Sequence, residues 1–458
     1  MDAALQIEPD FTPAVSPRPM RRISPLEEYQ LLLRLNPADA ASWLQMGADL
    51  QRAQFLDQAV VCLQRAMRID PANADIWSQQ ALLWLDVGQP VQALRAAKQA
   101  VRCAPERTET RVLLARVLRE IGQHDEAQRL LEDCLLGEPC RRDALHELAL
   151  NFLQVGDYRR GWQSLYAREQ PRLISQGALR SSPWRGQQIG GKRVLLIAET
   201  DHCETLWALR YLRQLILRGA DLHLACAEPI HSVLQELPIR IWRETDPALQ
   251  RYRFDFHCAL LDIPVLMDQC RLSLPEPAAL HVPDASRTRI QHSIANLPVG
   301  LKVGIAWTDQ HFGPDTAQRA VSMQRLLSMA HHRGVHLFSL QTGPGAIPEG
   351  VRDRVTGVQD LAACIHDTGS LAAAVQAMDV VVTTDNEVAH LAGALNTPGL
   401  VLLRHNPHWI YGKHRDAMPS YATLRLIRQP EAGDWRTPCK EAERLIAAWA
   451  ATRLRQGA

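Results

Sequence analysis

Residues 71–104 read PANADIWSQQALLWLDVGQPVQALRAAKQAVRCA, and residues 105–138 read PERTETRVLLARVLREIGQHDEAQRLLEDCLLGE. Both blocks are 34 residues long and stay in phase. Working outward, Pro37, Pro71, Pro105 and Pro139 keep the same step, as do Gly88, Gly122 and Gly156, Ala59, Ala93 and Ala127, Trp43 and Trp77, and Ala66 and Ala100. The residue types explain the interval. Small side chains at Gly47, Ala81 and Ala115, and again at Ala59, Ala93 and Ala127, let two helices approach closely. The glycines supply the turn between them, and each proline closes a unit because it cannot continue a helix interior. Every unit leaves an apolar face that only its neighbour can cover, so the units stack as a curved solenoid.

A period of 34 is the tetratricopeptide length. Three full repeats are expected over about 40–141 and a fourth over about 142–170. One capping helix is expected at 24–37, and the proline-rich, polar residues 1–23 read as disordered. Trp43, Trp77 and Trp84 read as repeat core rather than a ligand cage.

The bulk composition narrows the function classes. The 458 residues are 46% apolar and 22% charged, with a net charge of +1. That is a globular balance without a global field for nucleic acid or an anionic membrane. Ten cysteines are scattered without a C-x-x-C pair, so neither a zinc ribbon nor a redox motif is signalled. A reducing, cytoplasmic location is expected. The start MDAALQIEPDF has no long apolar core and does not read as a signal peptide, and no apolar run is long enough for a membrane span.

Residues 170–191 contain Pro171, Pro183 and four glycines and read as a linker. Beyond them β-rich runs alternate with helical ones: 193–198, 205–218, 222–227, 229–237 and 254–261. After a proline-containing stretch at 273–298, the alternation restarts at 302–307 and continues to 399–403, with a final helix over 437–455. Alternation of this kind means βαβ units and parallel sheets. The expected class is α plus α/β: a helical solenoid at 24–170, then one lobe at 171–297 and another at 298–458. Ligands bind between the carboxyl ends of such sheets.

The informative stretch for chemistry is VVVTTDNEVAHLAGAL at 380–395. A buried strand ends in Thr383-Thr384-Asp385 and a helix begins at once, capped by Asp385 or Asn386. The N–H groups of Asn386, Glu387 and Val388 are expected to face a cleft, where a helix N-terminus suits a diphosphate. His390 lies on the first turns, and Ala392, Gly393 and Ala394 permit close packing on the sheet. No H-E-x-x-H, G-x-S-x-G, phosphate-binding loop, dinucleotide fingerprint or D-x-D occurs.

DNEVAHLAGAL resembles the Asp-Ser/Thr-x-x-x-His-Leu-Ala-Gly-Ala-Leu signature of heptosyltransferase-like glycosyltransferases, in particular bacterial proteins that fuse such a domain to tetratricopeptide repeats. The resemblance runs over about 150–436 and includes Gly156-Asp157-Tyr158 with Gly161-Trp162, VLLIAET at 194–200, FDFHCALLDIP at 254–264, GIAWT at 304–308, LFSLQTG at 337–343 and RLIRQ at 425–429. It implies two Rossmann-like lobes in a GT-B arrangement, a nucleoside-diphosphate sugar as donor, no metal or other cofactor, and an acid of the first lobe as base on an acceptor hydroxyl. By position, Asp385, Asn386, Glu387, Val388 and His390 would surround the diphosphate, Trp307, Ser339 and Gln341 would line the nucleotide side, and Glu204 would stand for the catalytic Asp.

The family's E-Q-G-L-G-D-T loop is here Glu199-Thr200-Asp201-His202-Cys203-Glu204-Thr205: both glycines carry side chains and the acid is one methylene longer. Glu387 replaces a small residue at the diphosphate position, and Thr342 replaces a basic one. Like charges 4 Å apart repel by about 4 kcal/mol at an effective dielectric near 20, against at most ~2 kcal/mol from the helix end. Plainer roles stand beside each assignment: Asp385 as a helix cap, His390 as a packed histidine, Glu204 as a helix-start acid. His202 with Cys203 reads as a chance placement, and His405, His408 and His414 read as solvated residues of a polar loop rather than metal ligands. Two functions follow: inverting sugar transfer to a hydroxyl, the acceptor being a protein segment in the repeat groove, or a catalytically degenerate scaffold that recruits a protein partner.

Overall fold

The computed structural model describes residues 36–167, 172–175, 179–198, 202–268, 274–295, 297–308, 319–347, 357–413 and 416–456. The disordered segment expected at 1–23, most of the expected capping helix, Glu199 to Asp201 and His414 lie outside them. Two compact units arise, Met1–Ala72 and Asn73–Ala458.

In the first unit, α1 (Ala40–Arg52) and α2 (Leu56–Ile69) form a hairpin. Asp39 caps α1 through the N–H groups of Ala41 and Ser42. A Cβ on Gly47 would come within 2.9 Å of Leu63, which is why the smallest residue stands there. Gln54 holds φ +64°, the left-handed position filled by Gly88, Gly122 and Gly156 at successive 34-residue steps.

The second unit begins with three further helix pairs: α3 (Ala74–Asp86) and α4 (Pro90–Cys103), α5 (Thr108–Glu120) and α6 (His124–Gly137), and α7 (Arg142–Val155) and α8 (Tyr158–Tyr166). The positions read as small are the closest packed: Ala81, Ala93, Ala115 and Ala127 are fully buried, as is Ala149 one step on. Apolar clusters run from α3 to α5 and from α5 to α7, so each pair covers the next.

A five-stranded sheet follows in the order β1-β5-β2-β3-β4, with β1 Ser182–Pro183, β2 Arg193–Ile197, β3 Asp221–Cys226, β4 Arg240–Arg243 and β5 Phe256–Ala259. A six-stranded sheet has the order β11-β10-β9-β6-β7-β8, with β6 Leu301–Ile305, β7 Val335–Ser339, β8 Val358–Asp360, β9 Val380–Thr383, β10 Gly399–Leu403 and β11 Leu424–Arg428. Neighbouring strands in both sheets pair parallel. Side chains alternate between two packed faces, as strands covered on both sides require. Val194 and Leu196 enter one cluster while Leu195 and Ile197 enter another. Val380, Val382, Leu400 and Leu402 face the terminal helix α14 (Arg436–Gln456), and Val381, Val401 and Leu403 face the opposite way.

The reading of 170–191 as a linker is corrected here. Trp184 and Ile189 are core residues, and Ser182 and Pro183 add an edge strand beside β5. The helix expected at 205–218 is also broken. It divides into α9 (His202–Ala208), a 3-10 turn at Leu209–Tyr211, and α10 (Leu212–Leu217). The Arg210 guanidinium donates to the Trp207 carbonyl at 2.7 Å across that break. In 273–298 the described chain includes α11 (Asp284–Ser293), anchored by fully buried Ile290. Two more helices position the candidate site: α12 (Thr368–Gln376) and α13 (Glu387–Ala394).

Candidate functional site

The strand order of the second sheet reverses between β6 and β9, and the loops leaving those two strands carry Trp307 and Thr308 on one side and Thr384, Asp385 and Asn386 on the other. A reversal of this kind opens a crevice at the strand carboxyl ends. Gln341 ties the crevice together from the end of β7: its Oε1 accepts from the N–H groups of Trp307 and Thr308 at 3.0 and 3.1 Å. Ser339 Oγ accepts the Gln341 N–H at 3.4 Å. Ser339 and Gln341 are both fully buried. The Trp307 ring belongs to the apolar cluster of the sheet, so these three residues act as the frame of the loop.

Asn386 is the cap of α13. Its Oδ1 accepts from Val388 N–H at 3.1 Å and from Thr383 Oγ1 at 2.8 Å, while its Nδ2 donates to the Thr308 carbonyl at 3.1 Å. The expectation that the Val388 N–H is free to face a ligand is therefore corrected: the asparagine amide already satisfies it, and the Val388 side chain is core. Glu387 is only 3% exposed, and its Oε1 accepts the hydroxyl of Thr368, the first residue of α12, at 2.7 Å. A carboxylate thus sits at the adjoining starts of two helices, where partial positive charge is strongest.

Behind this turn lies a buried polar cluster. His390 Nδ1 stands 3.3 Å from the Tyr421 hydroxyl, while its Nε2 has no hydrogen-bond partner. Asp385 Oδ2 and the Tyr411 hydroxyl are also buried, and each is the other's polar neighbour at a geometry looser than a well-formed hydrogen bond. The two groups are nevertheless near enough for the Asp385 charge to act on the phenol. Burial drives the His390 pKa down to about 4, against the opposing pull of Asp385. Burial first, and then the Asp385 charge, push the Tyr411 phenol far up. The cluster packs so tightly that only glycine fits at 393, where a Cβ would lie 2.2 Å from the Tyr421 ring. Sequence reading found Asp385 and His390. Tyr411 and Tyr421 reach the cluster from chain well beyond α13, and no local spacing marks them.

Glu204 comes from the other sheet, on α9. Its Oε1 accepts from Trp409 Nε1 at 3.1 Å and lies 3.4 Å from His408 Nε2. Burial works to raise its pKa, but the bond and charge of His408, the Trp409 N–H and the charge of His146 outweigh it and hold the carboxyl below its usual range. His408, expected to be solvated, is instead the partner of this acid. His405 is likewise engaged, by Gln429. Among the described residues no group of His, Cys, Asp or Glu is arranged to hold a metal ion.

The turns of the solenoid close onto the same region. Glu120 pairs with Arg404 at 3.0 Å, Asn406 Nδ2 donates to the Arg119 carbonyl at 2.7 Å, and Gln154 Nε2 donates to Asn406 Oδ1 at 3.0 Å and to the Pro407 carbonyl at 2.5 Å. Trp162 of α8 stacks on Trp207 of α9 at 5.7 Å and meets Trp409 edge-on at 5.3 Å.

The molecule is thus a helical-repeat protein followed by parallel sheets, and residues 85–141 match the tetratricopeptide repeat family. Such repeats suggest a protein-interaction role, because the stacked pairs present an extended surface. Over 433 residues, 87% of this chain and 71% of the relative, the sequence is 22% identical to Protein FlbA of Caulobacter vibrioides. Among solved structures, MamA is 16% identical with a TM-score of 0.28, covering 31% of this chain and 83% of that one. PilW, a type IV pilus biogenesis factor, is 18% identical with a TM-score of 0.29, covering 30% and 64%. YrrB, a tetratricopeptide-repeat protein with an unusual peptide-binding site, is 13% identical with a TM-score of 0.27, covering 41% and 84%. No helix among the described residues is long and apolar enough to cross a membrane.

Proposed function

We propose that the two sheets are Rossmann-like lobes in a GT-B arrangement, and that the protein transfers a sugar from a nucleoside-diphosphate donor to a hydroxyl on a protein held by the repeats. The observation that carries this reading is the convergence of three buried polar side chains, Asp385, His390 and Tyr411, at the strand-order reversal, with His390 Nε2 left without a partner. Buried polar groups are nearly always paired, and a buried polar cluster with a ring nitrogen to spare marks a site that works on something polar. Glu204 is the base. Its carboxyl is held ionised at neutral pH and takes the acceptor hydroxyl proton as the new bond forms at the sugar carbon and the bond to the diphosphate oxygen breaks. The donor phosphates lie at the start of α13 without a metal.

One observation favours a second reading, a degenerate transferase fold that serves as a protein-recruiting scaffold. Glu387 already supplies a negative charge to the paired helix starts, tied down by Thr368. Calorimetry and thermal shift with a panel of nucleotide sugars separate the two, since a ligand that binds only the folded state raises the melting temperature. The transferase reading expects saturable binding to the wild type, weakened by Asp385→Ala and kept or improved by Glu387→Ala. The scaffold reading expects no shift with the wild type. Binding that emerges only in Glu387→Ala would mark a site closed by that carboxylate.

A further inference from the structure

The segment 404–409 has two sets of partners. On one side it is bound to the repeats: Arg404 to Glu120, Asn406 to the carbonyls of Arg119 and Glu120, and both Asn406 and Pro407 to Gln154. On the other side, its next two residues, His408 and Trp409, hold the Glu204 carboxylate. Gln154 and Asn406 are buried, and the Gln154 Nε2 and both ends of the Asn406 amide are spent on these contacts, none of which α7 needs for its own helix. The Trp162 ring of α8 closes the flank of the segment by packing on the rings of Trp207 and Trp409.

We infer that the fourth repeat is a working part of the carboxylate site, with Gln154 and Asn406 as positioning residues that fix the 404–409 segment and, through it, Glu204. The inference rests on the reading of Glu204 as the base. The physical reason is that a largely buried carboxylate needs donors in fixed places, and those donors sit on a stretch with no helix or strand of its own apart from the short turn at Trp409–Tyr411. The titratable groups facing Glu204 come from three elements: His408 from this segment, His146 from α7 and His390 from α13. Loosening the segment withdraws His408 and Trp409 and leaves burial opposed by fewer groups, so the carboxyl pKa rises.

The test compares wild type with Gln154→Leu, which keeps bulk and removes the donor, and with Gln154→Met should the leucine variant fail to fold. Tryptophan emission is followed against pH, because the Trp409 indole bonds directly to Glu204, and Glu204→Gln identifies the transition that belongs to this acid. The expected result is a higher midpoint in the Gln154 variant and kcat lowered roughly tenfold to a hundredfold, with donor affinity unchanged. An unchanged midpoint overturns the inference, whatever happens to kcat. If wild type turns over no nucleotide sugar, the proposed function fails, while the emission midpoint still decides whether the repeat positions Glu204.

Discussion

Two largely buried acids, Glu387 and Glu204, stand on helices of different sheets and are held in different ways. Glu387 is held locally: its partner Thr368 begins the neighbouring helix of the same sheet. Glu204 is held at a distance, by a segment from the second sheet that is itself fastened to the repeats. The first arrangement accommodates a carboxylate within one layer. The second makes the state of a carboxylate depend on how three parts of the chain meet. Damage to the seam is therefore expected to disturb Glu204 and spare Glu387.

The strongest test of that contrast is Trp162→Ala. Truncating a fully packed indole costs about 3–5 kcal/mol. Urea unfolding measures the loss, and hydrogen exchange is expected to rise across 202–208 and 404–411 while 387–394 stays protected. Equal exposure of both regions would break the contrast. Acid comes next. His390 binds a proton at about 4 when folded and at about 6.5 when unfolded, so the unfolded chain protonates first. Its contribution is complete above pH 6.5 and is lost as pH falls from there towards 4, on the order of 3 kcal/mol in all. Urea midpoints at about pH 7.5, 5.5 and 4.5 follow it, and His390→Gln is expected to flatten the trend.

Thr368→Val removes the hydroxyl that donates to buried Glu387 and is expected to cost about 2 kcal/mol, with the Glu204 transition in tryptophan emission unmoved. Trp409→Phe removes one N–H from Glu204 and keeps most of the ring packing. With His408 still in place, a loss of about 1 kcal/mol is expected, together with a higher Glu204 midpoint read from the remaining tryptophans. A larger effect from Trp409→Phe than from Thr368→Val would reverse the ranking of the two acids.

Much of the architecture was legible because it is written in local spacing. The 34-residue step of the prolines and small residues appears as helix pairs, and the alternation after residue 192 appears as parallel strands. Gln54 shows the limit of reading by residue type: it holds the left-handed turn position without being glycine. The two-residue strand at Ser182 and Pro183 was missed because it exists only through its pairing with β5. The cap at Asn386 was visible, since a polar residue before an apolar helix has one obvious use. The partners of the acids were not. Thr368 precedes Glu387 by 19 residues, and Trp409 follows Glu204 by 205. Separations of that size are set by the fold and leave no periodic trace.

The margins of the first sheet carry one more consequence. One margin ends at Pro183, which has no N–H to offer, and the other, β4, carries exposed arginines at 240 and 243. Both features discourage an incoming chain from joining the sheet as an extra strand. A visiting polypeptide has to find its grip away from the margins of this sheet.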